Sequence, residues 1–181
     1  MSLQLNALPW LTVLMLSGAT VAAAADDPCA GFKWNVTAER ALFAKPPEAV
    51  AAGKEAGAAP SVTVAKLYEL SLAPQEGVKF PVTPGKRGLP DGAFAGLVHF
   101  KVPSTGSYRV SLDHAFWIDV VGHNEPVAST DFTGAQGCSA PHKIVQYTLT
   151  AGEDLVLQLS GATEDHVRVT VTPAPAATAA H

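Results

Sequence analysis

The chain is short of basic residues and of cysteine, and it has no long apolar run after residue 21. Each shortage excludes something. Lys and Arg number 12 against 16 Asp and Glu, a formal net charge of −4, and the densest basic stretch is the pair Lys86-Arg87. Nucleic acids and anionic membranes are bound by clustered cations, so neither is an expected partner. Neither G-x-x-x-x-G-K nor G-x-G-x-x-G occurs, which removes the two common phosphate-cradling loops. No Gly-x-Ser-x-Gly elbow occurs either, so the usual strand-to-helix nucleophile turn is missing.

The apolar run that does exist is Pro9 to Val21, PWLTVLMLSGATV. It is too short to span a bilayer comfortably. Ala23-Ala24-Ala25 before Asp26 then fits the small-residue rule for signal-peptide cleavage. The opening MSLQLNALPW has no Lys or Arg, a departure from the usual positive start. Cys29 follows Asp26-Asp27-Pro28, which is no acylation site. The expectation is a cleaved export signal over residues 1–25, no membrane span after it, and a periplasmic or secreted protein. All charged residues lie after Ala25, and residues 26–181 suffice for one domain with a core of its own.

The two cysteines, Cys29 and Cys138, are an even count in an exported chain, so a disulfide is expected. It would close a loop of about 108 residues, for which chain entropy gives roughly 4–5 kcal/mol. It would tie the start of the exported chain to a distant loop, a structural task.

Residues 26–60 predict an N-terminal segment followed by an exposed loop. Thr37 before Ala38-Glu39-Arg40 resembles a helix N-cap. Lys45 to Pro60 (KPPEAVAAGKEAGAAP) is rich in Ala, Gly, Pro and charge, with no apolar residue larger than Val, and reads as a flexible loop. Residues 61–173 read as strands. Val62 to Leu72 alternates in part. Val78 to Val82 (VKFPV) could be an edge strand, where Pro is tolerated. Ala95 to Val102 and Ser107 to Leu112, separated by Pro103-Ser104-Thr105-Gly106, give a hairpin signal. Lys143 to Leu149, Asp154 to Leu159 and His166 to Val171 add three close-spaced strands. Short strands with Gly-bearing turns and hardly any helix predict an all-β fold, an antiparallel β-sandwich or jelly roll in one domain. Residues 174–181 read as a disordered tail.

FKVPSTGSYRVSL and YTLTAGEDLVLQLSGATEDHVRVTV resemble bacterial pre-peptidase C-terminal domains and related β-sandwich binding modules over roughly residues 94 to 172. Three further elements are Cys29-Ala30-Gly31-Phe32-Lys33-Trp34, Phe116-Trp117-Ile118-Asp119-Val120-Val121 and Cys138-Ser139-Ala140-Pro141-His142-Lys143. These resemble small exported proteobacterial proteins that carry the name homogentisate 1,2-dioxygenase. The first resemblance implies a non-catalytic binding module. The second implies a non-haem Fe(II) dioxygenase.

The residues bear on both. An Fe(II) site of the facial-triad kind needs two His and one carboxylate on neighbouring rigid elements. His123 and Glu125 form a His-x-Glu step, with His142 or His166 as a distal ligand, and His99 and His114 lie on predicted strands. The glycine-framed cupin pattern of His-x-His with a following Glu is absent. No cofactor is required by the binding-module reading, which needs only a sugar, peptide or envelope partner and exposed aromatics to stack on it. Trp34, Tyr68, Tyr108, Trp117 and Tyr147 are the available rings.

SLDHAFWIDVV, Ser111 to Val121, is the most informative stretch. As one strand it puts Asp113, Trp117 and Asp119 on one face and His114 with Leu112 and Phe116 on the other. Trp117, Asp119, Asp113 and Tyr108 are therefore the candidate ligand-binding residues. On such a strand Asp113 and His114 point oppositely and cannot act together.

Overall fold

The computed structural model of the chain describes Asp27–Pro175. The expected export signal and nearly all of the expected tail lie outside these residues. One helix, α1 (Thr37–Phe43), precedes twelve strands. The first six are β1 (Glu48–Ala51), β2 (Ser61–Thr63), β3 (Tyr68–Ser71), β4 (Ala73–Pro74), β5 (Phe94–Lys101) and β6 (Gly106–Leu112). The rest are β7 (Trp117–Gly122), β8 (Glu125–Val127), β9 (Ser129–Gly134), β10 (Lys143–Leu149), β11 (Leu155–Ala162) and β12 (His166–Pro173).

They form two packed sheets, an all-β sandwich as the strand pattern predicts. The first runs β1-β3-β12-β6-β10-β9, and the second runs β2-β5-β11-β7-β8 with β4 also on β5. Most pairs are antiparallel, but β1 with β3 and β2 with β5 are parallel, so both sheets are mixed.

Alternation sorts each long strand. Val98 and Phe100 of β5, Tyr108, Val110 and Leu112 of β6, and Leu155, Leu157 and Leu159 of β11 meet in the inter-sheet core. The outward residues are covered as well. Ala95, Leu97, Val121 and Val156 of the second sheet lie beneath Ala56, Ala59, Phe80 and Val82. Burying apolar surface on two levels rather than one adds to the hydrophobic stabilisation of a chain of this size.

Several expectations are corrected. Lys45 to Pro60 is not a plain loop: it supplies β1, a bridge from Gly53 to Leu97 and a turn of 3-10 helix at Ala56–Ala58. Its small residues are what let the backbone lie flat on the sheet. A Cβ on Gly53 would stand 2.5 Å from Ala59 Cα, and one on Gly96 the same distance from Ala52 Cβ. Val62 to Leu72 is two strands in different sheets, split by a turn with Ala65 at φ +59°. The Val78 to Val82 segment makes a single bridge, Lys79 to Glu55, and no strand. The helix begins at Thr37, and its first free amide donates to the Asn35 side chain at 2.9 Å, so Asn35 supplies the cap rather than Thr37.

The expected β5–β6 hairpin is a corner. β5 lies in the second sheet and β6 in the first, so their turn crosses the core. SLDHAFWIDVV is likewise not one strand: β6 ends at Leu112, Asp113 to Phe116 bend across, and β7 starts at Trp117 in the other sheet.

The disulfide Cys29–Cys138 is formed. It fixes Asp27 to Ala44 over the outer face of the first sheet. There Arg109, nearly buried, pairs with buried Glu39 of α1 at 3.2 Å, and Trp34 stacks on its guanidinium at 4.7 Å. Among the described residues no helix is long and apolar enough to cross a membrane.

Candidate functional site

The bend at Asp113 to Phe116 separates the four candidate ligand residues. Tyr108 is buried in the core, with its hydroxyl donating to the Ser104 carbonyl at 2.9 Å. Asp113 is buried as well. It accepts from the Arg168 amide at 2.9 Å and from Arg168 Nε at 2.8 Å. Both are satisfied inside the protein, so neither faces a ligand. The same bend brings His114 back onto Asp113, with Nδ1 2.9 Å from the carboxylate. An uninterrupted strand would hold them apart; the chain reversal overrides that.

Trp117 and Asp119 do share the outward face of β7. Asp119 accepts from Trp117 Nε1 at 3.0 Å, from the Gly85 amide at 3.2 Å and from Gln158 Nε2 at 3.3 Å. Both its oxygens are engaged within the protein, so Asp119 positions the indole. Gly85 must be small, because a Cβ there would touch both Asp119 and the indole at about 3.1–3.3 Å.

The indole lies at the lateral edge of the sandwich, where β7 of one sheet faces β10 and the edge strand β9 of the other. A hollow of about 180 Å³ opens there, lined by Trp117, Ile118, Ser129, Phe132, Lys143 and Val145. Phe132 of β9 is 64% exposed and is the one large hydrophobic side chain so exposed among the described residues. A second hollow of about 260 Å³ shares Phe132 and Lys143 and continues toward Gln136 and His142. Lys143 sits on the inward face of β10 with Val145 and Tyr147. It reaches across the gap, donates to the Phe116 carbonyl at 2.9 Å, and holds its ammonium 5.2 Å from the Trp117 ring centroid. Burial lowers the Lys143 pKa and the nearby charge of Lys86 lowers it further, while the charge of Asp119 opposes the fall. Lys33 lies over Phe132 at 5.5 Å while paired with Asp131 at 3.0 Å.

Phe132 and Lys143 were not singled out from the sequence. Phe132 sits in a polar strand, STDFTG, whose burial pattern only the three-dimensional edge position reveals.

Among the described residues the histidines divide between the two ends of the sandwich. His114, His142 and His166 lie at the end where β6 finishes and β10 and β12 begin; His99 and His123 lie at the other. His142 Nδ1 faces the Cys138 carbonyl at 3.2 Å, and Glu125 is the first residue of β8, paired with Gly122 at the far end of β7. His123, Glu125 and His142 thus share no common point. Among the described residues no three His, Cys, Asp or Glu side chains gather as metal ligands would. The structure therefore does not bring His123, Glu125 and His142 together as ligands of one iron.

A wider cleft of about 600 Å³ lies at the His99 end, over Val121 and Val156. His99 faces Asp154 at 3.3 Å and the Ala56 carbonyl at 2.7 Å, and His123 faces Glu153 at 2.9 Å. Each imidazole already has a carboxylate beside it, and the cleft holds no aromatic platform and no serine or cysteine nucleophile.

At the opposite end Glu164 stands between His114 and His166, with the same carboxylate oxygen 3.6 Å from each Nε2. His166 also bonds Asp165 at 3.0 Å. That hydrogen bond, with the charges of Asp165, Glu164 and Glu69, raises the His166 pKa above its ordinary 6.5. A raised folded value stabilises the native state fully below about pH 6.5, and that gain is lost as pH rises through the folded value. Melting temperature should therefore fall by a small amount between pH 6 and pH 8. The fall should be smaller in His166→Asn and shrink with added salt, since the pair is exposed. Equal pH dependence in the variant and the parent would remove His166 as the cause.

No protein-family model matches the chain, and no curated protein matches it.

Proposed function

We propose that this chain is an exported, non-catalytic β-sandwich binding protein, and that its ligand is a carbohydrate held in the groove between Trp117 and Phe132. The observation that supports this most is the pairing of a half-buried indole with an exposed phenyl ring on one hollow. Flat apolar rings flanked by polar groups suit the alternating C–H and hydroxyl surfaces of a sugar. Asp119, Gln158 and Gly85 hold the indole rigid before any ligand arrives, which lowers the entropic cost of binding. Export is supported by the pattern of residues 1–25 and by the disulfide, which persists in oxidising compartments.

Glycan screening of the oxidised protein tests this. The parent should bind at least one class of oligosaccharide. Trp117→Ala should weaken it about thirtyfold, or about 2 kcal/mol, as loss of a central aromatic contact does. Trp34→Ala, whose ring lies on the far face over Arg109, should leave affinity unchanged. No binding by the parent across neutral and acidic glycans, or equal binding by Trp117→Ala, would refute the proposal.

A further inference from the structure

The polar group at the centre of the groove is a cation with no anion in contact with it. Lys143 is largely withdrawn from water, and its ammonium has one hydrogen-bond acceptor, the neutral Phe116 carbonyl. Among the described residues it forms no ion pair. Asp119 acts on it through space but forms no ion pair with it, its oxygens accepting from Trp117, Gly85 and Gln158, and Asp131 is paired with Lys33. Lys86 adds a second positive charge nearby. Withdrawing an ammonium partly from water with no counter-ion in contact is costly, and a carbonyl and a ring face recover only part of that cost. Proteins keep such a group where something else completes it.

Resting on the carbohydrate reading above, we propose that the ligand is an acidic sugar whose carboxylate sits on Lys143 while its ring lies between Trp117 and Phe132. The geometry fits that division of labour. Lys143 borders both hollows, the aromatic one of about 180 Å³ and its neighbour of about 260 Å³. A uronate ring in the first would bring its carboxylate to the shared wall, and the next sugar of the chain would enter the second. An ammonium-to-carboxylate hydrogen bond is among the stronger kinds, and stronger still with water excluded by the two rings.

The test is a set of matched pairs on the oxidised full chain: short oligomers of galacturonate, glucuronate and mannuronate, each beside its neutral methyl ester. At least one acid should bind about tenfold or more tighter than its ester, the worth of one charge-assisted bond. Lys143→Met should erase that difference, with the acid falling to the affinity of its ester. Salt should weaken the acid and spare the ester. If acids and esters bind alike, the charge inference is wrong and the carbohydrate reading stands. Binding by no acid and no ester, when neutral glycans bind, also overturns the charge inference. If no glycan of either kind binds, both fall together. The parent comparison needs no variant, so a poorly folded Lys143→Met leaves the test intact.

Discussion

Replacing Cys29 and Cys138 with serine should lower the unfolding free energy by about 4–5 kcal/mol, much of the 5–15 kcal/mol typical of a folded protein. The link spans 109 positions, so the unfolded chain loses a large loop's worth of freedom when it is closed. The folded state depends on it too. Cys138 is 1% exposed, and the segment anchored at Cys29 carries α1 over the polar outer face of the first sheet. Releasing that segment exposes Arg109, Thr170 and Thr172, all within 5% of full burial. Guanidinium unfolding of the parent and the double-serine variant gives the difference directly. A loss under 1 kcal/mol would mean that the N-terminal cover holds without its link. Addition of reductant to the parent should reproduce the variant's midpoint.

The second large effect is expected at the ion pair beneath that cover. Glu39 and Arg109 are 1% and 5% exposed and meet at 3.2 Å, with Thr172 near the same carboxylate oxygen at 3.4 Å. The other oxygen of Glu39 has no partner in the protein. Arg109 is further committed to the Asn35 carbonyl at 3.0 Å and to the Trp34 ring. Arg109→Met strands a carboxylate in a dry layer and should cost about 3–5 kcal/mol. Glu39→Leu with Arg109→Met removes both charges and should recover most of that loss, since a buried pair contributes little against an apolar replacement of similar size. Denaturant midpoints of the two single variants and the double variant complete the cycle. A double variant no better than Arg109→Met alone would show that the Asn35 and Trp34 contacts, not the charge on Glu39, carry the effect.

The sequence makes parts of this architecture legible. The runs DLVLQL and SYRVSL, bounded by Gly-bearing turns, read as the strands β11 and β6, and the cysteine count points to the disulfide. The partnership of strands was hidden. Pro103-Ser104-Thr105-Gly106 has the chemistry of a hairpin turn, yet it carries the chain between sheets. A tight turn and a sheet-crossing corner need the same residues, and the choice is made by which faces the flanking strands must bury. The Ala- and Gly-rich stretch before Pro60 looked loose because its residues are small. That smallness is what allows close backbone approach at Gly53 and Gly96.

The site was half visible. Trp117 and Asp119 stand together as their alternation implied, but Asp113 went to Arg168 because the bend after Leu112 resets the alternation. Phe132 and Lys143 come from other strands. Their meeting with Trp117 depends on the chain crossing at Ala128, where β8 of one sheet leads into β9 of the other. No local pattern encodes that crossing.

The most direct test of the groove as the ligand seat is a nitrogen–proton NMR titration that follows the indole N–H signals of Trp34 and Trp117. With a bound oligosaccharide, the Trp117 signal should shift and saturate with the same dissociation constant as the amides of Phe132 and Lys143, while Trp34 stays still. Saturation that moves the amides of His99, His123 and Glu153 and leaves Trp117 unmoved would put the ligand in the wider cleft and contradict the account.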